Sequence, residues 1–255
     1  MKKRLQIANG IAFVCVIIMN YLSNTGLINN TTIGTVSNHL TTLFTPAGYA
    51  FSIWGLIYLF LTGFIIYQGK SLFTKTENNA FVAKTGWWFF ISCIANCSWI
   101  LAWIYGYTLL SCFYIFLILI ALLKIIINNN IGIGKPSKQT LLFLWLPFAV
   151  YSGWISVASI VNVAVVLVKY NWGGFGIQPE IWTIIMIVIA TLVNLMVTWK
   201  RNLKAYAFVG SWALLAIYVA NKNAFSVVAY TALFSATLII ISNLIKIVVN
   251  IRRKI

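Results

Sequence analysis

Few side chains in this chain can do covalent chemistry. It has two acids, Glu77 and Glu180, one histidine, His39, and no aspartate. Acid–base hydrolysis needs two acidic groups flanking one bond, whereas these glutamates fall on opposite sides of the apolar segments between them. A triad built on His39 finds no acid in its own loop. Cys93 and Cys97 are four apart and share a helix face, with Cys112 in the next segment and Cys15 far upstream. Three thiols in apolar helices could form a soft-metal site, but a zinc or iron centre wants three or four converging ligands, and small-residue packing is the expected role. Gly173, Gly174 and Gly176 follow Trp172 rather than a strand, so they do not form a phosphate-binding loop. Glu180 directly follows Pro179, the pattern of a helix start. The expectation is a protein that is not an enzyme and holds no metal.

What remains is ring and carboxamide chemistry, and its spacing is helical. Phe51, Trp54 and Tyr58 share one face; Ser92, Asn96, Trp99 and Trp103 share another; Pro147, Tyr151, Trp154, Ala158 and Asn162 form a third stripe. Trp87, Trp88, Trp145, Trp172, Trp182 and Trp199 lie near the ends of apolar runs, where tryptophan anchors a membrane interface. The central rings are less easily explained that way. An asparagine facing lipid leaves its amide unsatisfied, so Asn96 and Asn162 should point inward. Once there, they either bond helix to helix or orient a ligand, and both readings stand. A cleft walled by Phe51, Trp54, Tyr58, Trp99, Tyr151, Trp154 and Ala158, with Asn96 and Asn162 as its polar groups, suits a large flat apolar molecule.

The elements that must position these residues are membrane spans. Eight mostly apolar runs of bilayer-crossing length lie near residues 6–23, 47–68, 86–106, 108–128, 140–168, 180–199, 204–220 and 225–248. Of eighteen Lys and Arg, sixteen fall in alternate connections, and only Lys169 and Lys222 fall in the others. That bias places both termini in the cytoplasm. It also accounts for the net charge of +16 without nucleic acid, because the basic residues are scattered in small groups rather than gathered along a groove. Such loops attract anionic lipid. Lys2, Lys3 and Arg4 before an apolar run resemble a signal peptide, but no small-x-small cleavage site follows, and a retained first helix is expected. The connections are too short for a soluble core, so the fold class is all-α: one membrane domain, residues 1–255. The uncharged, Asn- and Thr-rich segment from Thr25 to Thr45 reads as a mobile lid.

Three blocks of sequence carry a family resemblance. The run from Phe44 to Tyr58, the pair Asn96 and Trp99, and Pro147 with Trp154, Ala158 and Asn162 resemble, in order and by helix, motifs of the tryptophan-rich sensory protein family. This family is also called TspO or translocator protein. Ala47 and Tyr49 stand where it commonly has a second Pro and a Trp. The resemblance covers about residues 1–168, a five-helix part, and leaves residues 169–255 as three additional helices; Trp212, Ala216 and Asn221 faintly echo the fifth-span stripe. It implies binding of a porphyrin or other tetrapyrrole, or of a sterol-like molecule, with a bound tetrapyrrole as the only cofactor suggested. Expected partners are membrane lipid and a hydrophobic small molecule, not nucleic acid, and a homodimer is compatible with this. Facilitated transport of a hydrophobic small molecule is the alternative function.

Overall fold

The computed structural model describes residues 2–73 and 80–252. Lys75, Glu77, Arg253 and Lys254, which entered the topology and charge reading, lie outside the described residues. Among those described, every regular element is helical: α1 (Lys2–Asn24), α2 (Ile33–His39), a 3-10 turn (Gly48–Ser52) leading into α3 (Ile53–Phe73), α4 (Ala80–Thr85), α5 (Trp88–Ile104), α6 (Thr108–Asn128), α7 (Lys138–Thr140), α8 (Leu146–Lys169), α9 (Pro179–Arg201), α10 (Lys204–Asn221) and α11 (Ser226–Arg252). The eight expected spans correspond to α1, α3, α5, α6, α8, α9, α10 and α11. Six of them are long and apolar enough to cross a membrane, while α5 has 17 residues and α10 has 18. The molecule is therefore a polytopic all-α membrane protein. Its outer surface carries bare Ile7, Ile11, Leu59, Phe113, Leu192 and Phe234, side chains suited to lipid rather than water.

Local sequence explains where the helices start, bend and stop. Ser137 caps α7 by accepting from the Thr140 amide at 3.1 Å. A π-helical turn, Leu141–Trp145, then joins α7 to α8. Pro147 follows it at once; its ring lacks an N–H and crowds the carbonyl four residues back, and a widened turn relieves both defects. Pro179 and Glu180 occupy the first turn of α9, and Asn202 ends it in the left-handed region at φ 56°.

The helices form two groups. In the first, α1, α3, α5, α6 and α8 surround a core in which Phe64, Phe89 and Phe148 are fully buried and meet edge to face at centroid distances of 5.0–6.0 Å. In the second, α9, α10 and α11 pack on one another, and α10 also packs on α8. Small residues permit the α10 contacts. A Cβ on Gly153 of α8 would come within 2.8 Å of the Tyr206 carbonyl oxygen, and a Cβ on Gly210 of α10 would collide with the Asn194 carboxamide of α9. Close backbone approach of this kind is how helices gain packing where lipid supplies no hydrophobic drive.

The long connection after α1, expected to act as a mobile lid, contains a helix, α2, capped by Thr32, whose side chain accepts from the Thr35 amide, and it buries Ile33, Ser37, Phe44 and Thr45. Which of its residues are buried depends on what lies beneath them.

Candidate functional site

The three aromatic stripes converge under this cap. Trp54, at the start of α3, lies at the centre. It stacks on Tyr58 at 5.5 Å, lies 6.4 Å from Trp99 of α5, and meets Tyr151 and Trp154 of α8 edge to face at 5.9 and 6.4 Å. Phe51, in the 3-10 turn, sets its ring against Trp154 at 5.8 Å. Edge-to-face and offset rings at these distances attract beyond their burial, by about 0.5–1.5 kcal/mol per pair. Each candidate residue named from the sequence therefore lies in or beside one cluster, though Tyr58 sits at its edge with a buried hydroxyl that has no hydrogen-bond partner.

The carboxamides are engaged by protein. Asn162 Oδ1 accepts from Trp99 Nε1 and from Ser111 Oγ, both at 3.1 Å, while its Nδ2 donates to the Ala158 carbonyl at 2.9 Å. Asn96 is fully buried; its Nδ2 donates to the Tyr151 hydroxyl at 3.2 Å, and its Oδ1 accepts from Asn20 Nδ2 at 3.3 Å. These bonds tie α8 to α5 and α6, and α1 to α5. They fix ring orientation in a place without water to compete.

The space between the rings is small. Ile33, Ser37, Pro46, Phe51, Trp54, Trp99, Trp103, Trp154, Val157, Ala158, Val161 and Asn162 enclose a cavity of about 30 Å³, whereas sites for drug-sized ligands measure about 300–1,000 Å³. Beside it, between α1 and α3, lies a groove of about 640 Å³ that shares Ile33, Phe51 and Trp54 with the cavity wall.

Several site residues escaped the sequence reading. Trp103 lies on the α5 stripe but was not among the candidates; it stacks on Trp99 at 5.9 Å and donates to the Ile33 carbonyl at 3.4 Å, tying the cap to the cluster. Asn20 carried a signal, an amide inside an apolar helix. Ile33 and Ser37 carried none.

The faint echo in α10 has a concrete structural role. Trp212 Nε1 donates to the Ala50 carbonyl at 3.3 Å, the Ala47 amide donates to the Ala216 carbonyl at 3.1 Å, and Asn221 Nδ2 donates to the Leu43 carbonyl at 3.0 Å. Tyr49 meets the Trp212 ring edge to face at 5.2 Å. So α10 holds the segment that closes the cluster from outside. The two departures noted in the sequence, Ala47 and Tyr49, are both α10 contacts, and a proline at 47 would have no N–H to give.

The remaining chemistry is dispersed. Among the described residues no three of His, Cys, Asp or Glu gather as a metal site would need.

Five helices around a buried ring cluster, with α9, α10 and α11 packed beside them, define a polytopic membrane protein with a capped aromatic site. A family model for TSPO-like proteins matches residues 6–245, and the chain belongs to that family. The match continues past residue 168 into α11, beyond the stretch over which the sequence motifs carried the resemblance. No curated protein and no solved structure matches the chain.

Proposed function

We propose that this protein binds a flat hydrophobic molecule, a tetrapyrrole or a sterol-like compound, between the rings of Trp54, Trp99, Tyr151 and Trp154. The observation that carries the reading is the convergence of these rings, from three helices, beneath a cap that hydrogen bonds tie to α5 and α10. Phe51, Tyr58 and Ala158 complete the walls, and Asn96 and Asn162 hold them. The resting cavity is too small for such a ligand, so binding requires displacement of the Ile33–Phe51 region and draws on the neighbouring groove between α1 and α3. The side chains on hand bind and exclude water; none is arranged for proton or group transfer, and we read the protein as a binding protein rather than an enzyme. Its partners are then lipid and the small molecule, with no nucleic acid, and a homodimer fits the same reading.

Ala158→Leu is the decisive variant, because Ala158 lines the small cavity and added methyl groups fill the space a planar ligand needs. Porphyrin titration and thermal melting on the same preparation should show affinity falling at least tenfold with little loss of stability. Unchanged affinity in a stable Ala158→Leu protein would remove the cluster from the ligand site. Flux of porphyrin into proteoliposomes tests the alternative of facilitated transport. The Lys and Arg distribution further places both termini in the cytoplasm; a reporter fused after Ile255 that is active only outside the cytoplasm should stay silent.

A further inference from the structure

On the opposite side of α8 from the ring cluster lies a second concavity, an aliphatic trough of about 760 Å³ between α6, α8 and α9. Val157 borders both spaces. The trough is lined by side chains such as Leu123, Val163 and Val193, and it ends at Lys200 and Arg201 in the last turn of α9. We propose that it is a binding site for an anionic phospholipid, with one acyl chain along the trough and the phosphate at Lys200 and Arg201.

Three observations select this occupant. The first is length: from Met186 to Lys200, both in the wall, α9 rises about 21 Å, which exceeds the roughly 15 Å half-thickness of a bilayer core. One leaflet's acyl chain therefore fits without bending back. The second is charge. Among the described residues no acid lines the trough, and Glu180 sits at the other end of α9, about 30 Å away along the axis. Arg201 is held in place by donating from Nη1 to the Ile126 and Ile131 carbonyls at 3.3 and 3.4 Å, while Lys200 is exposed. A fixed guanidinium beside a mobile ammonium at the end of an apolar channel matches a phosphodiester above a hydrocarbon chain. The third is placement, since the Lys and Arg bias assigns this end to the cytoplasmic leaflet, where anionic lipids concentrate.

The test uses the full chain in phosphatidylcholine nanodiscs doped with a phosphatidylglycerol or a phosphatidylcholine probe, each with a photoreactive group on the acyl chain. Adducts of the phosphatidylglycerol probe should map to the α6, α8 and α9 trough walls and exceed those of the phosphatidylcholine probe. Lys200→Gln should reduce that preference roughly fivefold. Because Arg201 also braces the Ile126 and Ile131 carbonyls, Lys200→Gln is read first, and Val163→Trp, which fills the channel, should reduce both kinds of adduct there. Adducts spread evenly over the outer surface, or a preference that survives Lys200→Gln, would overturn the proposal. So would an absence of trough adducts together with disulfide cross-linking between cysteines introduced on the outer face of α9 in the same nanodiscs, which would assign the face to a second copy.

Discussion

The two faces of α8 are packed by different rules. Toward α3 and α5 it presents Tyr151, Trp154 and Asn162, and the space left among rings and satisfied amides is about 30 Å³. Toward α9 it presents Ile160 and Val163, and the space is about 760 Å³. Aromatic side chains are large, flat and able to hydrogen-bond at their edges, so they close over one another and are locked by Asn162 and Asn96. Aliphatic side chains between helices gain little in lipid by closing, because a lipid tail solvates them nearly as well as a neighbouring helix does. The tryptophans therefore mark the closed face, while the standing groove lies where the sequence is plainest.

This contrast yields predictions that decrease in size. Trp154→Ala removes a nearly buried ring from contact with Phe51 and Trp54; it should cost about 3 kcal/mol or more of stability, read as a large fall in the melting temperature of the detergent-solubilised protein. A small change would mean the cluster is looser than its geometry. Asn162→Leu strands the Trp99 indole N–H, while the Ser111 hydroxyl keeps the Thr108 carbonyl, and should cost about 1–2 kcal/mol; a neutral outcome would show that the Trp99 bond does not hold the cluster shut.

Ala47→Pro is a narrower probe of how the cap is held. The backbone at Ala47, φ −55°, already suits proline, so the variant loses the Ala216 hydrogen bond and little else. It should cost about 1 kcal/mol and speed amide exchange in the 43–50 segment while leaving exchange in α11 unchanged. Equal effects in both places would argue against a local clamp. Smallest of all, Leu123→Ala on the trough wall should cost less than about 1 kcal/mol, because lipid replaces the lost contacts; a loss near that of Trp154→Ala would erase the distinction between the two faces.

The sequence by itself determined the membrane class, the eight helices and the three ring-bearing stripes, because hydropathy and a 3.6-residue period are local properties that survive without knowledge of neighbours. It also placed Asn96 and Asn162 inside, since lipid offers an amide no partner. Which partner each amide takes was beyond it: the spacing allowed a ligand or a helix, and only the packing of α5 and α6 against α8 brought Trp99 and Ser111 to Asn162. Tertiary structure alone also folded the polar loop into a buried cap, gave the Trp212, Ala216 and Asn221 echo its work at the Leu43–Ala50 backbone, and left a trough beside α9. Each of these depends on distances between residues far apart in the chain, and helical periodicity carries no information about which helix faces which.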